Sequence, residues 1–166
     1  MFIKSLELEN YRNYKSLNLS FDRGTTILYG NNAQGKTNIL EAIYLSATTK
    51  SHKGSKDSEI VNFDEEEGHI RTLLEKDGMD YRIDMHLRKS KSKGIAINCE
   101  RIKKASDLIG LLNVVFFSPE DLNIIKDGPA YRRRFVDMEL CQLDQFYIYN
   151  LNNYNKIINQ RNKLLK

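Results

Sequence analysis

Gly30-Asn31-Asn32-Ala33-Gln34-Gly35-Lys36-Thr37 fits the pattern G-x-x-x-x-G-K-[S/T] at every fixed position. The five residues before it, Thr25-Thr26-Ile27-Leu28-Tyr29, are β-branched and apolar and predict a buried strand entering the loop. Thr37 to Leu45 predicts a helix leaving it, with Ile39, Ile43 and either Leu40 or Tyr44 on its buried face. Gly30 and Gly35 let the backbone turn and come close to an anion, because no Cβ intervenes. The successive N–H groups of Asn31, Asn32, Ala33 and Gln34, together with the open helix N-terminus, then point at phosphates. Lys36 brings a mobile positive charge to the outer phosphates. Thr37 offers a hydroxyl to Mg²⁺, a hard ion that prefers oxygen ligands. Strand, loop and helix together imply nucleotide binding, with ATP and Mg²⁺ as the expected cofactors.

The chain around this motif has 166 residues, enough for one domain with a sizeable core or for one lobe of something larger. Hydrophobic content of 40% with 29% charged residues excludes a disordered chain. No apolar run approaches the ~20 residues that cross a bilayer, and Met1 to Glu7 has no signal core, so no membrane partner and a cytoplasmic location are expected. Cys99 and Cys141 lie far apart and read as reduced packing residues. His52, His69 and His86 lack metal-ligand spacing. The net charge of +4 permits nucleic acid as a partner without arguing for it.

Along the chain, Ile3 to Leu8 and Ser16 to Phe21 alternate as a strand pair around the polar, aromatic turn Asn10-Tyr11-Arg12-Asn13-Tyr14. Thr48 to Ser58 is rich in Ser, Lys and Gly and is expected to be mobile. Asp57 to Phe63 is a candidate short helix. His69 to Lys76 and Tyr81 to Arg88 alternate about Asp77-Gly78, a hairpin turn signal, and Ile95 to Asn98 adds a short strand. Ser106 to Leu112 reads as a helix capped by Ser106, and Val114 to Phe117 as a fully apolar strand. Ser118-Pro119-Glu120-Asp121 is a strong helix start. Ala130 to Leu143 is expected to be helical. Tyr131, Phe135 and Met138 should be buried, and at least one arginine of 132–134 should pair with an internal acid, such as Asp137 or Glu139, rather than touch DNA. Gln145 to Lys166 carries a heptad-like stripe, Tyr147, Leu151, Tyr154, Ile158 and Leu165, and lacks a stop signal.

Hydrolysis asks for more than a phosphate loop: a carboxylate at the end of a second apolar strand and a group to orient water. Glu120 or Asp121 could bind Mg²⁺ there, or could be helix-capping acids behind the Ser-Pro pair. A GTPase reading fails, because Asp107-Leu108-Ile109-Gly110 follows no strand and Asn162-Lys163-Leu164-Leu165 lacks the required Asp. Residues 88–104 hold seven positive charges against one negative, which suits either solvated loops or a phosphate-backbone contact surface.

Asn10 to Tyr14, Gly30 to Tyr44, Phe117 to Leu122, Gly128-Pro129 with Arg132-Arg133, Phe135 and Asp137, and Gln160-Arg161-Asn162 with Leu164 to Lys166 together resemble the RecF family of bacterial recombination mediators. The likeness runs from the first residue to the last. It implies an α/β fold, a P-loop NTPase head of the ABC type: a mixed sheet with antiparallel strands over a phosphate-loop core, then the start of a helical lobe. The implied division is 1–118 for the ATP-binding lobe and 119–166 for the helical one. It further implies weak, DNA-stimulated ATPase activity in the whole protein, ATP-dependent binding to gapped or double-stranded DNA, and an ATP-dependent homodimer of heads. RecR and RecO are the implied partners in loading recombinase. By the same resemblance Arg12 and Asn13 lie beside the nucleotide, and Ser118 and Glu120 fall where related heads sense the γ-phosphate and Mg²⁺. The family's signature segment and acidic Mg²⁺ strand do not occur in these residues, so the chain is expected to bind ATP without turning it over.

Two other classes stand beside this one. A small self-sufficient nucleotide or sugar kinase would depend on Glu120 for turnover. A non-catalytic assembly module would dock through the C-terminal stripe.

Overall fold

The computed structural model describes residues 1–119 and 128–165. They form two compact units, Met1–Leu108 and Ile109–Lys166, dividing ahead of the 118/119 boundary expected from the sequence. Glu120 and Asp121 lie outside the described residues.

The first unit is built on a six-stranded sheet in the order β2-β1-β3-β4-β5-β6, with every neighbouring pair antiparallel. Its strands are β1 (Phe2–Tyr11), β2 (Tyr14–Ser20), β3 (Glu67–Lys76), β4 (Met79–Arg88), β5 (Gly94–Ile97) and β6 (Glu100–Arg101). Register follows the alternation of side chains, since a slip by one residue would turn each apolar set to solvent. Leu6, Leu8, Ile70, Leu74, Ile83, Met85 and Leu87 all fall on the buried face. Burying each of them contributes about 1.5–3 kcal/mol. The other face carries a cross-strand charge ladder in which Arg71 bridges Glu7 and Asp84, and Arg82 reaches the same aspartate. Asp77-Gly78 closes the β3–β4 hairpin with both residues at positive φ, as a two-residue turn demands.

Helix α1 (Lys36–Thr48) packs against the buried face of this sheet. The hydroxyl of Thr72 on β3 donates to that of Ser46, which donates to the Ala42 carbonyl, so a polar pair is satisfied inside the core. The buried side of α1 differs from the expected one. Ile39 is buried, but Ile43 and Tyr44 are half-buried and Leu40 is exposed; Glu41, Ala42, Leu45 and Ser46 take the interior. The small hydroxyl pair lets α1 approach the sheet on a face that an apolar count would not choose.

Thr25 to Tyr29 is not a strand. Ile27 and Tyr29 are exposed, and among the described residues no strand pairs with this stretch. An apolar, β-branched run becomes a buried strand only when neighbours flank it on both sides, and none does here. Val114 to Phe117 departs from expectation for the same reason: among the described residues no ladder forms on it, and Val115 and Phe117 are exposed. Ser106 to Leu112 is a single 3₁₀ turn, Ala105–Asp107, rather than a helix. Its one turn starts after Lys104, and Ser106 bonds Asp107 instead of capping a helix.

The second unit is a helical hairpin of α3 (Pro129–Leu143) and α4 (Gln145–Leu164), with α2 (Asp57–Ile60) belonging to the first unit. Asp144 is the sole residue between α3 and α4: its N–H donates to the Leu140 carbonyl, and its carboxylate accepts from the Phe146 N–H. Tyr131 and Phe135 are exposed, contrary to expectation. Asp137 accepts from the Tyr147 hydroxyl at 2.6 Å. Of the α4 stripe, Tyr147, Leu151 and Ile158 are half-covered while Tyr154 and Leu165 are exposed. Among the described residues no helix is long and apolar enough to cross a membrane.

Candidate nucleotide site

The loop between residues 30 and 37 has the backbone that an anion cradle requires. Gly30 and Gly35 sit at φ of 142° and 95°, where a side chain would be strained, and Ala33 adopts φ 64°. Gly35 is the N-cap of α1, and the Asn38 and Ile39 N–H groups both donate to its carbonyl. The helix N-terminus is therefore open toward the loop, with its first N–H groups lacking intrahelical acceptors. Residues 30–34 are exposed, as is Thr37 in the first turn. The Lys36 amine folds over the loop and donates to the carbonyls of Gly30 and Asn31 at 2.7 and 2.6 Å.

The turn between β1 and β2 grips this loop. Asn13 Nδ2 and the Tyr14 hydroxyl both donate to the Gln34 carbonyl, at 3.3 and 3.0 Å. Asn38, in the first turn of α1, donates to Asn13 Oδ1 at 2.9 Å. Asn13 thus bridges the loop and the first turn of α1.

Arg12 is bound to α1 and to the segment 55–59. Its guanidinium donates twice to the carboxylate of Glu41, and also to Ser55 Oγ and the Glu59 carbonyl. Glu41 is fully buried on α1 and also accepts from Ser51 Oγ. Burial works against its charge, but the hydrogen bonds of Arg12 and Ser51 and the positive charges of Arg12 and Lys53 outweigh it, so the carboxyl titrates below its usual range. The hydrogen bonds to Glu41 in turn hold Arg12 more firmly protonated. Burial pushes the adjacent Tyr11 phenol well above its ordinary value.

This buried pair explains why residues 49–58 are pinned rather than loose. Thr49 and Ser51 are buried, and Lys93 reaches across to the Thr49 carbonyl and Asp57. Beside the turn and the loop opens a cleft of about 510 Å³, lined among others by Arg12, Asn13, Asn38, Lys53, Phe63 and Lys89. The basic stretch 88–104 divides in two. Lys89 and Lys93 are engaged with the carbonyls of Phe63 and Thr49, whereas Lys91, Arg101, Lys103 and Lys104 are exposed.

Glu41, Tyr14 and Asn38 are site residues that the sequence reading does not single out. Glu41 carried a signal all the same: an acid four residues before Leu45 and three after Asn38 falls on one helical face. Tyr14 carried none, since an aromatic residue beside a turn has many uses. For Mg²⁺ the described residues offer the Thr37 hydroxyl, and no cluster of three or more His, Cys, Asp or Glu side chains is found among them.

Glycine-turned loop, lysine, open helix and antiparallel sheet define a P-loop nucleotide-binding head of the ABC type. The chain belongs to the AAA domain family, which matches residues 5–166. Over all 166 residues it is 68% identical to the DNA replication and repair protein RecF of Agathobacter rectalis and 64% identical to that of Lachnoclostridium phytofermentans. It spans about half the length of these curated relatives, 46% of each. The structure of the recombination mediator protein RecF-ATP in the RecFOR pathway superposes with a TM-score of 0.93 at 40% identity, covering 99% of this chain and 46% of that one. An SMC ATPase structure, from work on ATP-driven dimerization and DNA-stimulated activation, shares the fold with a TM-score of 0.65 at 20% identity, covering 83% of this chain and 99% of that one.

Proposed function

We propose that this chain is the ATP-binding part of a RecF-like DNA replication and repair protein, with residues 30–37 holding the phosphates. The observation that carries this reading is the loop itself: two glycines at positive φ, a lysine amine within reach of the loop carbonyls, and an open helix N-terminus. The cleft beside Asn13 and Asn38 leaves room for the rest of a nucleotide. Lys36 would leave its two carbonyls for the outer phosphates, and the exposed Thr37 hydroxyl would be a ligand of Mg²⁺. Arg12 acts on this site through Glu41, holding the turn against α1. Fold and loop fit a RecF-type head better than a stand-alone kinase, because the likeness to RecF-ATP extends over nearly the whole chain.

The DNA partner, the ATP-dependent pairing of heads and the association with RecR and RecO belong to the whole protein. For this chain the reading is ATP binding without turnover. The exposed cations Lys91, Arg101, Lys103 and Lys104 are the best-placed group for a DNA backbone. The test is an ATP titration of the wild-type chain and Lys36→Ala, followed by filter binding to gapped duplex with and without ATP. Binding of ATP that Lys36→Ala abolishes supports the reading. Equal affinity of the two proteins for ATP, or steady phosphate release by the wild type, overturns it.

A further inference from the structure

Tyr14 donates a hydrogen bond to the loop at the Gln34 carbonyl oxygen. The peptide that follows that carbonyl is trans, so the Gly35 N–H points the opposite way from the carbonyl that Tyr14 holds. We propose that Tyr14 is a positioning residue for nucleotide binding: with Asn13, it anchors the Gln34 carbonyl so that the Gly35 N–H stays aimed at the phosphates. The proposal rests on residues 30–37 being the phosphate cradle.

Two features make an anchor necessary. Glycine at 35 leaves the 34–35 peptide free to flip, which would turn a carbonyl toward the anion in place of an N–H. Glycine is also what admits the anchor: a Cβ at position 35 would lie 2.5 Å from the Tyr14 hydroxyl oxygen and 2.7 Å from Asn13 Oδ1. The residue that loosens the peptide therefore also opens the space for the group that holds it. The second donor, Asn13 Nδ2, is itself fixed by Asn38 of α1, so the carbonyl is held from the turn and, through Asn13, from the helix. The Tyr14 phenol is protonated through the neutral range, and burial raises it further above its ordinary value.

The test compares wild type with Tyr14→Phe, which keeps the ring and removes the donor. Affinity is measured for ATP and for inorganic tripolyphosphate, and the Gly35 amide proton is followed by NMR. The proposal expects both ligands to bind about tenfold more weakly to the variant, the scale of one lost neutral hydrogen bond. It also expects the downfield move of the Gly35 amide on ligand addition to shrink while the resonances of the sheet stay in place. Unchanged affinities overturn the positioning role and leave the nucleotide reading intact. Weakening for ATP alone overturns it too, by making Tyr14 a contact of the nucleoside. If the wild-type chain binds neither ligand, the nucleotide reading falls and this one with it.

Discussion

Arg12 and Glu41, 29 positions apart, meet in a two-pronged ion pair at 3.0 and 2.7 Å that ties the turn after β1 to the middle of α1. Glu41 is fully buried, and Arg12 covers it from the side of residues 55–59. Opposite charges in such a place are costly to separate, because either one left alone is a buried, uncompensated ion.

Glu41→Ala should therefore destabilise the chain by roughly 3 kcal/mol. The pair also sets an acid limit. The folded carboxyl titrates below its ordinary 4.5, so its stabilising contribution is complete above that value and is lost as pH falls through the folded value. Urea melts at about pH 7 and about pH 4 should show a smaller acid loss for Glu41→Gln than for wild type. Parallel losses in both proteins would remove Glu41 from the account.

The β5–β6 turn contains a correctable strain. Asn98 and Cys99 form its two-residue loop at φ 50° and 69°, and the Asn98 carboxamide accepts from the Arg82 N–H. Asparagine adopts that conformation at less cost than cysteine, whereas Asp77-Gly78 uses glycine in the equivalent place. Cys99→Gly should stabilise the chain by about 0.5–1 kcal/mol. Calorimetry checks this, and a lower midpoint for the variant would contradict it.

Gln142 pairs with the backbone of Val114 as a neighbouring strand would. Its side-chain amide accepts from the Val114 N–H at 2.7 Å and donates to the Val114 carbonyl at 3.1 Å, satisfying both backbone groups of one residue. Gln142→Ala should cost about 1–3 kcal/mol by leaving them without partners. Gln142→Glu keeps the acceptor and loses the donor, so it should fall between. Faster amide exchange at Val114 in the alanine variant is the local readout; unchanged exchange would rule the bracket out.

How much was legible in the sequence depended on how local the cause was. The phosphate loop, the Asp77-Gly78 hairpin and the alternation of β4 are written within a few residues and are found where expected. Thr25 to Tyr29 and Val114 to Phe117 have the composition of central strands, but a strand is made by its neighbours, and among the described residues these have none. Residues 49–58 look loose by composition, yet Ser51 and Ser55 are held by a charged pair whose members come from two other elements. Composition records what a residue can do. It does not record which distant carboxylate its hydroxyl meets.

The folded-back amine of Lys36 has one more consequence. With two carbonyls of the loop solvating it, the lysine charge is already partnered within the loop. On the proposed reading, an arriving phosphate would trade partners with groups already in place instead of filling a bare positive site.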